Sequence, residues 1–161
     1  MNLVLLRKAT ATLAITLLGS AWALAAPYQT GQQVQPFQAK DQHENAFTLK
    51  PADTRYLLVS HDMETGKKAN TALTALGKDY LPAKNAVYVA NIHGMPGIGR
   101  MFALPKMKKY SHRIILGDDA ALIARFPQQN GKVTVLALSD GKVQSIQYWT
   151  PGTDGVDGYL K

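Results

Sequence analysis

The sequence contains 161 residues, with 18 lysines and arginines against 11 aspartates and glutamates, and has a formal net charge of +7. It contains no cysteine. Thiol catalysis, disulfide exchange by the chain's own side chains, iron–sulfur clusters and thioether-linked haem are therefore excluded, and the fold must be stable without disulfides.

The first 25 residues are predicted to be a cleavable secretory signal. A basic start ending in Arg7-Lys8 precedes an apolar run from Ala9 to Trp22, and Ala23-Leu24-Ala25 places small residues where a signal peptidase cuts. Cleavage after Ala25 leaves a single domain of residues 26–161 with a net charge of +5 and an expected periplasmic location. The alternative is an uncleaved membrane anchor, although the apolar run is short for a span and contains threonines.

The remaining chain alternates between predicted strands and helices. In its first half we expect two short strands within Pro36–Leu49, a buried strand Tyr56–Ser60, a helix from Lys67 that Pro82 ends, and a buried strand Ala86–Ala90. A helix-prone segment Met101–Tyr110, interrupted by Pro105, and a strand Arg113–Leu116 follow. The chain is then expected to form a helical turn or edge strand in Ala120–Phe126, a hairpin of Lys132–Leu138 and Lys142–Trp149, and a short helix or frayed end over Val156–Leu160. Strand, helix and strand in succession require a parallel pair with a right-handed crossover, and the hairpin adds antiparallel strands. This order predicts an α/β domain with a mixed β-sheet flanked by helices.

Two segments and the element order resemble exported members of the thioredoxin-like superfamily. The segment Phe37–Leu49 is similar to the opening hairpin of peroxiredoxin- and cytochrome-maturation-type members, and Thr134–Val143 is similar to the strand, turn and strand after the cis-proline of that fold. The segment from Asn91 to Phe102 also resembles the small exported YtfJ-type proteins. The resemblance implies a thioredoxin-like fold over most of residues 26–161.

The sequence departs from redox members of this superfamily at both redox elements. Where those proteins carry Cys-x-x-Cys, this chain has Met63-Glu64-Thr65-Gly66, and where they carry the cis-proline it has Val133. Oxidoreductase activity is therefore not carried over, and the scaffold is expected to bind rather than to exchange disulfides.

Polar residues follow the two predicted parallel strands and form the first candidate site. His61, Asp62 and Thr65 come after one strand, and Asn91 and His93 after the next. Since parallel strands end at the same edge of a sheet, these side chains are expected to converge there. Two imidazoles and a carboxylate could hold zinc or act as a base with its orienting partner. The alternative is that they cap helices, with Asp62 or Thr65 as the N-cap.

The glycine-rich segment Gly94–Arg100 is the second candidate. Main-chain amides around Gly97 and Gly99 could bind an anion, and Arg100 could add positive charge. The order of the glycines matches neither a dinucleotide fingerprint nor a P-loop, so the sequence identifies no cofactor. The alternative is a tight turn that requires positive φ angles.

Basic residues are densest just after this segment. Lys106, Lys108, Lys109 and Arg113 form either a solvated surface or a patch that contacts an anionic membrane surface. We do not expect a nucleic-acid partner for an exported domain. The leading hypothesis is a binding or accessory protein for another protein or a small anionic ligand; the second is a non-thiol enzyme, or a cofactor- or metal-binding protein, that uses His61, Asp62 and His93.

Overall fold

The computed structural model describes residues 25–161, so all of the predicted signal segment except Ala25 lies outside the described residues. Seven strands form one mixed sheet in the order β2-β1-β5-β4-β3-β6-β7. The strands are β1 Gln38–Asp41, β2 Ala46–Thr48, β3 Tyr56–Ser60, β4 Ala86–Asn91, β5 Ile115–Gly117, β6 Val133–Ser139 and β7 Lys142–Trp149. The helices are α1 Met63–Leu76, α2 Tyr80–Ala83, α3 Gly97–Met107 and α4 Ala120–Ile123, with one-turn 3₁₀ helices at Pro51–Asp53 and Val156–Gly158.

The centre of the sheet is β3, which pairs with β4 in parallel and with β6 in antiparallel orientation. All five of its residues are buried, because helices or loops cover both faces of the sheet. Alternate side chains enter two separate cores: Leu58 packs with Leu73 of α1 and with Trp149, whereas Leu57 and Val59 face the opposite side. The expected parallel pair and the closing antiparallel hairpin are both confirmed.

The second core is covered partly by the segment before β1. Tyr28 packs edge-on against Phe126, and its main-chain N–H donates to the carbonyl of Arg125 at 2.7 Å. Val34, also fully buried, donates its N–H to the carbonyl of Gly141 at 2.8 Å. The segment before β1 therefore covers a part of the second core that α4, a helix of only one turn, is too short to cover.

Several helix boundaries differ from the predicted ones. Helix α1 begins at Met63, four residues before the expected Lys67, because Asp62 caps it. It ends at Leu76, before Gly77, whose φ is +89°. Pro82 therefore does not end this helix; it lies within the separate short helix α2. Helix α3 begins at Gly97, four residues before the expected Met101, and Pro105 does not interrupt it.

Three smaller expectations are also corrected or resolved. Strand β5 starts at Ile115, so Arg113 and Ile114 precede it. The segment after it forms the single turn of α4 and not an edge strand. The end of the chain is not frayed: Leu160 is fully buried, and the Tyr56 hydroxyl donates to the carbonyl of Lys161. No helix in residues 25–161 is long and apolar enough to cross a membrane.

Candidate functional site: the edge after β3 and β4 and the α1–α3 groove

The ends of β3 and β4 lie side by side, with Ser60 paired to Ala90. Asn91 connects the two loops that follow. Its Nδ2 donates to the main-chain carbonyl of His61 at 3.0 Å, and its Oδ1 accepts the His93 N–H at 2.9 Å. The predicted edge therefore exists, and Asn91 holds it together through main-chain atoms.

Asp62 is the N-cap of α1. One carboxylate oxygen accepts the Thr65 N–H at 2.8 Å, and the other accepts the Thr65 hydroxyl at 2.7 Å. Burial would raise the pKa of Asp62, but the hydrogen bonds from Thr65 outweigh it and lower that pKa below its ordinary value. Both oxygens thus serve the helix, which is the capping role considered for these residues.

The His61 ring turns toward β6, on the side of β3 away from β4. The hydroxyl of Thr134 donates to the Pro127 carbonyl at 2.5 Å, so His61 Nε2, 2.9 Å from that hydroxyl oxygen, is the donor in their hydrogen bond. The other ring nitrogen is buried without a partner in the described part of the chain. Burial lowers the pKa of His61, which favours this neutral form.

The three residues proposed for metal binding or acid–base chemistry are not gathered into one cluster. His93 is exposed near Asp118, whereas His61 contacts Thr134 and Asp62 caps α1. Within residues 25–161 no three His, Asp or Glu side chains are placed to share a metal ion.

The glycine-rich segment forms a turn followed by the first turn of α3. Only Gly94 has a positive φ, of +76°, whereas Gly97 and Gly99 have helical conformations. Tight-turn geometry therefore applies to Gly94 alone.

Arg100 holds this segment in place. Its Nε donates to the Met95 carbonyl at 3.2 Å, and its Nη2 donates to the Ile92 carbonyl at 3.0 Å. Both Nη atoms also bind the Asp118 carboxylate, at 2.5 and 2.6 Å. This fork raises the pKa of Arg100 and lowers the pKa of Asp118. All three guanidinium nitrogens are used, so the side chain fastens α3 to the edge.

Beside the edge lies a groove of about 420 Å³ between α1 and α3, which we call the α1–α3 groove. Ser60 and Ala90 from the sheet form its floor. Its walls combine apolar and methionine side chains with two lysines at the rim; they include Met63, Gly66, Lys67 and Asn70 from α1, and Met95, Ala103, Lys106, Met107 and Tyr110 from α3 and its flanks. This volume falls in the range of small-molecule sites.

The Ser60 hydroxyl lies at the base of the groove and is hydrogen-bonded to the buried hydroxyl of Tyr88. The two oxygen atoms are 2.8 Å apart. Burial raises the pKa of Tyr88, so its hydroxyl remains protonated at any physiological pH. The Ser60 hydroxyl at the floor of the groove and its Tyr88 partner are therefore polar but uncharged.

Asn70 is held in a fixed orientation by buried His112. The Asn70 Oδ1 is 2.9 Å from His112 Nε2, and the Thr74 hydroxyl is 3.2 Å from His112 Nδ1. Burial lowers the pKa of His112 to about 4, so the ring is neutral and donates to Asn70 while it accepts from Thr74. Asn70 lines the groove, and its amide nitrogen has no hydrogen-bond partner among residues 25–161.

The edge after β3 and β4 is predictable from the sequence, whereas the α1–α3 groove was not predicted. Gly66, Asn70 and Thr74 recur at a spacing of four, so small and polar residues line one side of α1. This spacing is the signal that could have indicated a cavity. The partner of Asn70, His112, is 42 residues away in the chain and carries no comparable pattern.

Comparisons with solved structures agree on the fold. The chain is similar to the thioredoxin domain of a thiol-disulfide oxidoreductase from Bacteroides vulgatus (15% identity, TM-score 0.53, covering 83% of this chain and 99% of that one). It is also similar to a thio-disulfide isomerase from Thermus thermophilus (18%, 0.51, 83% and 95%) and a hypothetical protein from Sinorhizobium meliloti (16%, 0.55, 82% and 81%). No protein-family profile matches the sequence, and no curated protein is significantly similar to it.

The domain has the thioredoxin-like fold. At these identities the likeness extends to the fold alone, so the thiol chemistry named for two of those proteins is not transferred. This chain has no cysteine, and Met63–Gly66, which the resemblance aligns with Cys-x-x-Cys, forms the first turn of α1. Met63 and Gly66 of this turn line the groove.

Proposed function

We propose that this domain is a non-catalytic binding protein, and that the α1–α3 groove holds a small anionic ligand with an apolar body. One observation carries the proposal: polar side chains at the edge form hydrogen bonds within the fold, whereas the Asn70 amide nitrogen and the side chains of two rim lysines in the adjacent groove form none with the described residues. Asp62, Asn91 and Arg100 all bond to neighbouring segments of the chain. Asn70 Nδ2 and the rim lysines are free to contact a ligand.

The groove's charge favours an anion. Lys67 and Lys106 are exposed at its rim, and neither forms an ion pair in the described residues. The groove's one carboxylate, Asp62, is occupied by the cap of α1. A carboxylate or phosphate could therefore be bound by one or both lysines and by the oriented Asn70 amide.

The groove's walls favour an apolar body on that ligand. Met63, Met95, Ala103 and Met107 provide apolar contacts from both helices. Methionine side chains adapt to irregular shapes, which suits binding of flexible chains. We accordingly expect a medium-chain carboxylate to bind better than an equally long neutral or cationic amphiphile.

The test is calorimetric titration of the full chain with decanoate, decanol and decyltrimethylammonium. Lys67→Glu and Lys106→Glu should each weaken decanoate binding by on the order of tenfold, because they reverse the charge at the rim. Lys50→Glu is the matched control, since it makes the same charge change next to the 3₁₀ helix before β3, outside the groove. Equal binding of all three amphiphiles, or an equal effect of Lys50→Glu, would contradict this ligand chemistry.

Gly66→Ala separates loss of binding from loss of folding. A Cβ at this helical position would lie 3.4 Å from Ser60 Oγ, an ordinary contact that narrows the floor of the groove. The variant should be more stable by about 1 kcal/mol, because alanine favours a helix interior over glycine. It should nevertheless bind decanoate more weakly, which thermal unfolding and calorimetry would show together.

The enzyme hypothesis has its own test. Peroxide consumption and hydrolysis of model esters and phosphoesters should show no turnover by the wild type above the buffer rate. A turnover lost in His61→Ala but retained in Lys50→Ala would overturn the binding proposal, whether or not decanoate binds.

We also propose that the protein is a periplasmic accessory protein. It would belong to an exported, YtfJ-type branch of the thioredoxin-like superfamily that lacks redox cysteines. Support comes from the signal-like start of the sequence, from the absence of cysteine and from the Asn91–Phe102 segment. Mass spectrometry of the protein recovered from the periplasm should show an N-terminus at Ala26. Recovery only from the cytoplasm would contradict this localisation.

A further inference from the structure

Helix α3 has a second apolar side, turned away from the groove. Ile98, Met101 and Phe102 are spaced three and four residues apart, so they share one face of the helix. They are 71%, 72% and 64% exposed. Ala103 and Met107, on the opposite side, line the groove. Such contiguous exposure of large apolar side chains on a folded domain marks a surface that contacts something.

Positive charge continues along this face. Lys108 and Lys109 lie in the turn after α3, where their N–H groups donate to the carbonyls of Leu104 and Lys106 and continue the helical winding. Their spacing of seven residues from Met101 and Phe102 therefore places them near the same side, and both are exposed. Neither forms an ion pair within residues 25–161. Lysines beside an exposed apolar surface favour contact with anionic lipid, because attraction to the headgroups adds to the burial of apolar area.

We propose that this face of α3, which we call the outer α3 face, docks onto an anionic lipid surface. Three side chains on two turns of a convex helix offer far less than the roughly 1,600 Å² of a typical protein–protein interface. They are enough for shallow insertion when lysines add attraction to anionic headgroups. This surface differs from the basic patch expected from sequence, because Arg113 is not part of it.

Arg113 is held elsewhere. Its Nε donates to Asp41 at 3.0 Å, its Nη2 donates to the Ala46 carbonyl at 3.3 Å, and its guanidinium lies over the Phe47 ring. This residue therefore fastens the β1–β2 hairpin. The membrane contact is assigned to Ile98, Met101, Phe102, Lys108 and Lys109.

The test is flotation of the protein with vesicles of phosphatidylcholine alone and of equal parts phosphatidylcholine and phosphatidylglycerol. The protein is purified with its native N-terminus, and all variants share that N-terminus, so differences among them report on α3. We expect at least about fivefold more bound protein on the anionic vesicles, and a loss of about fivefold for Lys109→Glu. Phe102→Ser should lower binding by about tenfold.

Leu76→Ser is the matched control, because Leu76 is also an exposed apolar helix residue but lies at the end of α1. It should bind anionic vesicles as the wild type does. Circular dichroism should be unchanged in all variants, since every altered side chain is exposed. The proposal would be overturned by equal binding to both vesicle types or by the absence of any effect of Phe102→Ser. It would also be overturned if sedimentation equilibrium showed a dimer that Phe102→Ser dissociates, because this face would then contact a second copy of the chain.

Discussion

Helices α1 and α3 form the two walls of one groove, yet they are attached to the domain in opposite ways. Helix α1 has a side-chain N-cap and buries five of its residues, among them Ala69 and Leu73. Helix α3 has no side-chain cap and no fully buried residue. It is fastened at its start by Arg100 and faces solvent with its outer apolar side. The first helix belongs to the core, whereas the second is a surface element available for contact.

The largest expected change in the free energy of unfolding comes from a core residue of α1, and an exposed residue of α3 serves as its comparison. Leu73→Ala removes a side chain that is 1% exposed and packed in the first core, so it should lower the free energy of unfolding by about 2–5 kcal/mol. Met101→Ala should change it by less than about 0.5 kcal/mol. Urea unfolding of both variants measures the difference; comparable losses would mean that α3 is as firmly packed as α1.

The second prediction concerns His112, which follows α3 and hydrogen-bonds to two residues of α1. Its pKa is about 4 in the folded protein and about 6.5 in an unfolded chain. The unfolded state therefore binds more protons between these values, and stability falls as the pH falls from about 6.5 to 4, by on the order of 3 kcal/mol. Urea unfolding at a series of pH values should show this loss in the wild type and a shallower one in His112→Gln.

The third prediction concerns the N-cap of α1, which has no counterpart in α3. Asp62→Ala should cost about 1 kcal/mol at neutral pH, because the Thr65 N–H loses its acceptor. Asp62→Asn keeps an acceptor oxygen and should cost less. The folded-state pKa of Asp62 is lowered, so its electrostatic contribution is present above about pH 4 and is lost as the pH falls through the folded value. Thermal unfolding at pH 7 and pH 3 would show whether the penalty of Asp62→Ala shrinks in acid.

The smallest change in global stability is expected at the fastening of α3. Arg100→Ala removes contacts with Asp118, Ile92 and Met95 that are exposed or only partly buried. Its effect should be local: amide hydrogens of residues 97–103 should exchange faster, while those of α1 should not change. Hydrogen exchange followed by mass spectrometry measures both helices at once. Uniform acceleration in α1 and α3 would mean that the two walls unfold together.

The strands could be predicted more closely than the helices. Tyr56–Ser60 is a short, uninterrupted run of residues suited to a buried strand, and Ser139-Asp140-Gly141 marks the hairpin turn; both signals are local. The start of α1 was missed because Met63–Gly66 has no apolar periodicity, although Asp62 and Thr65 have the spacing of a cap. Gly97 and Gly99 are expected in an anion-binding segment or a tight turn, whereas they lie in the first turn of α3, which Arg100 fastens to Asp118.

The candidate site shows the same division between local and tertiary signals. That the residues after β3 and β4 meet follows from parallel pairing, so the edge was predictable. The direction of the His61 ring was not, because it depends on Thr134, 73 residues later. The groove depends on how α1 and α3 pack across the sheet, and no local sequence pattern predicts that packing.

The segment before β1, which covers the second core, determines where this domain can be cut for use in a fusion protein. The first strand begins at Gln38, and a boundary drawn there would look natural from the sheet alone. Such a boundary would discard Tyr28 and Val34, which are 8% and 1% exposed, and would leave Phe126 and Val143 uncovered. At the other end Leu160 is equally buried. The smallest portable unit therefore runs from about Pro27 to the final residue, and fusion partners should be joined through added linkers outside those limits.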